Sequence, residues 1–318
     1  MIHTKIARSG MAAALLGAAL VLAQGAAPAA HAGSPMLLIG AIGAVSSSHT
    51  QAQATTQWVN QAVPWAAFAP IADAYFAQGL RAVSIATTVG SDGQVLYSGV
   101  FHSDQGTDAQ WITPAQDSST FGRTVSYYAD QGLRLVSSSA VTNPGEFKTP
   151  LFTGVFRGGQ GTDAQVLDGG RTYSFVSGRI RTHHSEGLRL VSLSTNVDNY
   201  GQIYYGGVFR GGQGYDGEAF SLGNAWKGFA ADDARYFGLG YRLVTISTAT
   251  GTDGRVRYTG VYRDGQGSGA QYILSARGWA DFAAADKGYF DQGLRLVSLG
   301  LTTDAQGTVL YTGAWRSQ

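Results

Sequence analysis

One short phrase, GLRLVSL and its close variants, occurs five times in the chain at a nearly constant interval. The opening glycine of each copy stands 53, 55, 53 and 53 residues after the one before it. Such a period is typical of repeat proteins, in which one supersecondary unit buries its apolar face against copies of itself. The five glycines are Gly79, Gly132, Gly187, Gly240 and Gly293.

A second phrase keeps the same interval and supports the same division of the chain. Its copies read YSGVF, FTGVF, YGGVF, YTGVY and YTGAW, each with a glycine at the centre. These glycines are Gly99, Gly154, Gly207, Gly260 and Gly313. Since both phrases recur together, we expect five copies of one structural unit.

The last copy shows the predicted unit most clearly. The apolar run QYIL predicts a short strand. Trp279, Phe282 and Tyr289 then fall on one face of a predicted helix, which ends at Gly293. LRLVSL and VLYTGAW predict two strands joined by a turn. The order of elements is therefore β-α-β-β.

The predicted fold class is an α+β tandem-repeat protein with five such units of about 53 residues. The units form either a closed propeller-like ring or an open curved stack, and the spacing does not decide between them. The predicted regions are a signal peptide (1–32), an N-terminal cap or degenerate half-repeat (33–56) and the repeat domain (57–318), with units 57–109, 110–164, 165–217, 218–270 and 271–318.

The N-terminus has the pattern of an export signal. Lys5 and Arg8 precede the apolar stretch MAAALLGAALVLA, and Ala30 and Ala32 offer a cleavage site before Gly33. A transmembrane anchor is the alternative, but this stretch is short and rich in alanine. We therefore expect a secreted protein, extracellular or periplasmic, that is not an integral membrane protein after cleavage.

Composition excludes several classes of function. The formal net charge is only +1, which gives no electrostatic basis for binding nucleic acid. The chain has no cysteine, so a disulfide framework, a thiolate metal site and a cysteine nucleophile are all ruled out. We predict no cofactor and no metal site, and an enzymatic role is the less favoured reading.

The aromatic helix, the phrase QGLRLVSL and the closing YTGVYR or YTGAWR resemble the bacterial tandem repeat domain. That module occurs in secreted bacterial proteins and in the N-terminal part of polyglycine hydrolases. The resemblance covers residues 57–318. In the hydrolases, such repeats precede a β-lactamase-like domain whose serine nucleophile lies in an S-x-x-K motif. This chain contains no S-x-x-K, and only Trp315 keeps the closing tryptophan of the family pattern.

Five recurring arginines are the first candidate binding residues. Stacked units would align them, and guanidinium groups bind carboxylates, sulfates or phosphates through forked hydrogen bonds. Alternatively, each arginine ties its strand to a carbonyl or an acid of the adjacent unit, such as Asp108, Asp163 or Asp216. The five residues are Arg81, Arg134, Arg189, Arg242 and Arg295.

Aromatic residues near the connectors between units are the second set of candidates. Trp58, Trp111 and Tyr215 could stack on sugar rings, although Trp58 and Trp111 also suit a core position. His183 and His184 occupy helix positions where other units have mostly aromatic residues, and adjacent helical residues point about 100° apart. The pair is therefore predicted to be structural.

The predicted function is that of a secreted, non-enzymatic repeat module that binds an extended or multivalent ligand. Repeated weak sites gain avidity when the target repeats as well, so the expected partner is a cell-surface polysaccharide or a protein. One alternative is an accessory or hydrolase-associated domain whose catalytic partner is on another chain. Another is an architectural envelope protein.

Overall fold

The computed structural model describes residues 46–50, 56–143, 149–198, 200–214 and 216–317. The chain divides into Met1–Ala41 and Ile42–Gln318, and every described residue lies in the second part. The predicted signal peptide, residues 33–45 and 51–55 of the predicted N-terminal cap, and Tyr215 lie outside the described residues. Within the part of the chain that the structure describes, no helix is long and apolar enough to cross a membrane.

Five helices, each of 13 residues, are found in the described ranges. They are α1 (Trp65–Ala77), α2 (Ser118–Asp130), α3 (Tyr173–Ser185), α4 (Trp226–Gly238) and α5 (Trp279–Asp291). Each helix follows a short strand and precedes a pair of longer strands, which is the predicted β-α-β-β order. In units one and two the first strand is broken into two short pieces.

The strands form five separate antiparallel sheets, one for each unit. They are β1 (Ser46–Thr50), β2 (Thr56–Asn60), β3 (Val63–Pro64), β4 (Arg81–Val89), β5 (Val95–His102), β6 (Gln110–Ile112), β7 (Gln116–Asp117), β8 (Arg134–Thr142), β9 (Pro150–Arg157), β10 (Gln165–Arg171), β11 (Arg189–Val197), β12 (Ile203–Arg210), β13 (Glu218–Asn224), β14 (Arg242–Thr250), β15 (Val256–Arg263), β16 (Gln271–Arg277), β17 (Leu294–Thr303) and β18 (Val309–Ser317).

The strands of each unit have the same order in its sheet, and the sheet of unit one carries β1 as an additional strand beside β2. The last strand of the unit is the central strand, and it pairs on one side with the first strand. On its other side it pairs with the strand that follows the helix, which we call the inner strand. The inner strands are β4, β8, β11, β14 and β17, and the central strands are β5, β9, β12, β15 and β18.

The repeated glycine ends each helix, as predicted. Gly132 has a φ of 79°, a left-handed conformation that a residue with a Cβ adopts only with strain. Its N–H donates to the carbonyl of Ala129, and the next N–H, of Leu133, donates to Tyr128. The chain is thereby turned out of the helix into the inner strand.

A residue of each central strand completes the apolar core of the preceding unit. Val155 of unit two packs into the core formed by Phe68, Tyr75 and Phe101 of unit one. Val208, Val261 and Ala314 are the equivalent residues in the next three units. All four are fully buried. Neighbouring units therefore share their cores and do not merely touch.

A polar contact accompanies each shared core. Gln110, the first residue of the unit-two sheet, accepts a hydrogen bond through Oε1 from the backbone N–H of Ala82, at 2.6 Å. The equivalent contacts join Gln165 to Leu135, Glu218 to Leu190 and Gln271 to Leu243. The inner strand thus has its outward N–H groups satisfied by the next unit.

The first and fifth units also contact each other, through several residues of unit one. Gln57 Oε1 accepts from the N–H of Leu296, at 2.9 Å, and Ser84 Oγ accepts from the N–H of Leu299, at 3.1 Å. Val100 of unit one packs into the core of unit five, against Trp315. In the described part of the chain the five sheets stay separate, and none of them closes on itself.

Candidate functional site

The five recurring arginines are buried between units. Their exposed fractions are 2–7%. Arg81 Nε donates to the main-chain carbonyl of Asp108, at 2.6 Å, and its Nη1 donates to Leu80. Arg134, Arg189 and Arg242 make the same bond through Nε to the following connector. This is the arrangement that the structural alternative predicts, in which an arginine ties its strand to a neighbouring carbonyl.

A stacked aromatic ring accompanies several of these guanidinium groups. Arg81, Arg242 and Arg295 lie 4.3, 4.1 and 4.1 Å above the rings of Phe76, Phe237 and Phe290. Arginine readily stacks in this way because its charge is delocalised over a plane. The side chains therefore brace the helix end against the inner strand.

Sequence reasoning assigned no role to a second row of arginines, at the ends of the central strands. Arg157 binds both carboxylate oxygens of Asp108, through Nε at 3.1 Å and Nη2 at 2.8 Å. Arg210 and Arg263 bind Asp163 and Asp216 in the same forked geometry. The arginines recur every 53 residues and the aspartates after 55 and 53 residues. This shared recurrence is the sequence signal that could have predicted the pairs.

Aromatic pairs join the first strand to the helix in three of the described units. In each pair, a residue of the first strand packs on a tyrosine of the helix in the same unit. The ring centroids are 5.1 Å apart for Trp58 and Tyr75, 5.9 Å for Trp111 and Tyr128, and 5.1 Å for Tyr272 and Tyr289. The three pairs belong to units one, two and five.

The pairs differ in how far they reach solvent. Trp111 exposes 57% of its surface and Tyr272 exposes 44%, whereas Trp58 is half-buried against the core of unit one. A core position therefore suits Trp58 but not Trp111. Tyr272 occupies the position equivalent to these two tryptophans, which the sequence analysis did not use.

The unit-two pair lies beside an open depression lined by both aromatic and polar side chains. Trp111, Tyr127 and Tyr128 line a space of about 330 Å³ together with Gln116 and Arg123. Burial raises the pKa of Tyr128 to about 12. Aromatic faces beside amide, hydroxyl and guanidinium groups are the usual components of a small-ligand site.

Units three and four lack the aromatic pair. In unit three, His183 replaces the tyrosine and is 2% exposed. Its ring is tilted against that of Phe209, with the ring centroids 4.5 Å apart. Its ring nitrogens lie 2.9 Å from Glu186 and 3.0 Å from Asp168. His184, the adjacent histidine, is exposed. Among the described residues, no group of three or more acidic or histidine side chains is placed to hold a metal ion.

Glu218 is the one acid among the five residues that begin the units. It lines a cavity of about 490 Å³ between α3 and β13, with Tyr173, Arg181 and Tyr236 on the walls. Burial raises its pKa to about 7, against opposing effects of the Leu190 N–H and of Arg263 and Arg189. Elsewhere this position holds glutamine, whose amide carries no charge to desolvate.

Comparison with protein families bears on two of the units. The model of a family described as polyglycine hydrolase-like, structural repeat, matches residues 115–157 and 228–264. These two segments are polyglycine hydrolase-like structural repeats. They contain helix, inner strand and central strand of units two and four, so the predicted repeat family is confirmed there. A comparison with curated proteins found no match.

Glu218→Gln should stabilise the contact between the third repeat and the fourth more at pH 8 than at pH 5. The pKa of Glu218 is about 7 in the folded protein and 4.5 in the unfolded chain. The folded state therefore keeps its full stability below pH 4.5, where the carboxyl is protonated in both states, and loses stability as the pH rises through about 7. We expect the variant to raise the free energy of unfolding by about 1–2 kcal/mol more at pH 8 than at pH 5, a value reduced because Glu218 is partly exposed to solvent. Urea denaturation at both pH values measures it.

The mirror-image control is Gln165→Glu, which introduces a carboxyl at the equivalent position of unit three. That variant should lose stability over the same pH interval. An equal effect of Glu218→Gln at pH 5 and pH 8 would contradict the assignment of this carboxyl.

Proposed function

We propose that this chain is an exported, non-catalytic module that binds an extended polysaccharide. The observation that supports this best is the set of aromatic pairs at equivalent positions of units five, one and two. Trp111 and Tyr272 lie at the same place in two units and leave large aromatic rings partly open to water, which favours a ligand with repeated apolar faces. The sugar rings of a polysaccharide have such faces.

The surroundings of Trp111 suit a sugar. Its indole ring offers a flat surface, and Gln116, Thr120 and Arg123 line the same cavity. Thr124 Oγ1 donates to Gln116 Oε1 at 3.0 Å, which holds the amide in place. A fixed amide and a guanidinium group provide the directed hydrogen bonds that a ring face alone does not.

Repetition would convert weak sites into useful affinity. Once a chain is held at one aromatic pair, its binding at the next pair becomes intramolecular and has a high effective concentration. Affinity should then rise with the length of the oligosaccharide until it spans the neighbouring pairs. A monosaccharide would bind only weakly.

We further propose that the five units follow one another in a closed circle. Support comes from the contacts of Val100, Gln57 and Ser84 with unit five, which repeat those between consecutive units. Asp286 Oδ1 also accepts from Gln57 Nε2 at 2.8 Å, as Asp233 Oδ1 accepts from Gln271 Nε2 at 2.7 Å. In such a circle the three aromatic pairs lie on consecutive units.

Trp111→Ala should weaken binding to the polysaccharide about fivefold to tenfold, because an aromatic contact contributes roughly 1 kcal/mol beyond its buried area. A glycan array would identify the ligand, and calorimetry with oligosaccharides of increasing length would give the affinities. Trp111→Ala combined with Tyr272→Ala should remove most of the dependence on length.

Tyr200→Ala is the matched control, because Tyr200 is 94% exposed in a hairpin turn, away from the paired positions. It should leave the affinity unchanged. If no glycan binds the folded protein, or if Trp111→Ala instead abolishes capture of a protein partner, the polysaccharide proposal is wrong.

Thr88→Cys with Thr303→Cys tests the closed circle. The two hydroxyl oxygens are 2.8 Å apart, and the chain has no other cysteine to confuse the result. Oxidation should form a disulfide between units one and five and stabilise the protein by roughly 3–5 kcal/mol. Mass spectrometry and thermal melting report the two effects.

A second cysteine pair, at Thr250 and Thr302, provides the reference. It joins consecutive units, whose hydroxyls are 2.6 Å apart, and should be oxidised in either arrangement. Formation of the Thr250–Thr302 crosslink without the Thr88–Thr303 crosslink would show an open stack.

Export should remove the first 32 residues. The charged start, the apolar stretch and the small residues Ala30 and Ala32 direct cleavage before Gly33. N-terminal sequencing of protein recovered outside the cytoplasm of a bacterial host should therefore begin at Gly33. Retention of the full-length chain inside the cell would contradict the export proposal.

A further inference from the structure

Among the described residues, one member of the second row of arginines has no carboxylate partner. Three members, Arg157, Arg210 and Arg263, each bind both oxygens of an aspartate in the preceding connector. The fourth is Arg316, at the end of β18. The connector before it has Gly269 where the others have Asp108, Asp163 and Asp216.

Everything else in this junction follows the pattern. Arg316 Nη2 donates to the carbonyl of Gln266, as the other three arginines donate to Gln105, Gln160 and Gln213. Arg242 Nε donates to the carbonyl of Gly269 at 3.0 Å, as Arg81 does to Asp108. The arginine fork is therefore in place, and Gly269 offers it no carboxylate.

The guanidinium group of Arg316 is also more accessible than its counterparts. Arg157, Arg210 and Arg263 are 3–5% exposed, whereas Arg316 is half-buried. Among the described residues, its Nε has no hydrogen-bond acceptor. Arg316, Gln266 and Ser317 line a cavity of about 360 Å³ together with Val83 and Arg295.

The charge balance at this junction favours an anion. Burial and the neighbouring Arg242 both lower the pKa of Arg316. At the other junctions, an aspartate carboxylate lies beside the corresponding arginines and compensates their charge. His102, which also lines the cavity, adds no charge at neutral pH, because burial lowers its pKa to about 4.

Ser317 explains how the missing side chain is accommodated. A Cβ placed on Gly269 would coincide with Ser317 Oγ, so the hydroxyl occupies the place of the first side-chain carbon. The corresponding residues in units two and three are Gly158 and Gly211, which leave that place to an aspartate. The serine fills space but brings no charge.

We propose that Arg316 binds the carboxylate group of a ligand from solution, in the position that an aspartate of the chain takes at three other junctions. A forked, charge-assisted pair of hydrogen bonds is the geometry that guanidinium and carboxylate groups prefer. The carboxylate belongs to an acidic sugar or to a simple organic acid. The site does not depend on the aromatic pairs.

Nuclear magnetic resonance of the arginine Nε–Hε groups tests the site in the intact protein. Titration with acetate or with glucuronate at low salt should shift the Arg316 resonance, while glucose should not. Arg316→Gln, which removes the fork, should weaken binding about tenfold or more in calorimetry. Similar affinities for acetate and glucuronate would show that the site recognises the carboxylate alone. Tighter binding of glucuronate oligomers would show that the ligand is an acidic polysaccharide.

A matched variant gives Arg316 an aspartate of the protein itself as its carboxylate partner. Gly269→Asp with Ser317→Gly reproduces the junctions of units two and three, and should raise the melting temperature and abolish the response to acetate. An unchanged Arg316 resonance throughout the acetate titration of the parent protein would overturn the proposal. So would a full acetate response in the doubly substituted protein, because the internal carboxylate should then exclude the ligand.

Discussion

The shared core between neighbouring units is the interaction on which the rest of the structure depends. A single small sheet with one helix has too little apolar surface to bury on its own. Val155, Val208 and Val261 add to the buried apolar surface, because each packs into the core of the unit before its own. Each unit is thus stable only beside the next, and any surface that the array presents exists because several units are assembled.

This dependence separates the roles of recurring residues. Arg81 and its four counterparts recur because every junction needs the same brace, and they are buried there. The residues that vary between units are the ones that make the exposed surface of one unit different from that of another. Trp111 and Tyr272 occupy one repeat position, which holds alanine at residue 219 and valine at residue 166, and only the aromatic members offer a stacking face.

The repeat interval predicts the element order and the helix end at Gly132, because both follow from local patterns of apolar residues and glycine. The partner of Arg157 was harder to foresee. Asp108 stands 49 residues earlier, and the two meet only after unit two has packed on unit one. Exposure of Trp111 likewise depends on packing between strand and helix, which periodicity does not describe. Tyr215 lies outside the described residues.

The contacts made by the inner strands have a consequence for aggregation. An open edge of a sheet is a template for strands from other molecules. Here the edge N–H groups of Ala82 and Ile85 are already engaged by Gln110 Oε1 and Ser137 Oγ of the next unit. These side-chain acceptors satisfy the backbone without merging two sheets. A β-rich chain with many short sheets is thereby shielded from adding foreign strands along its inner edges.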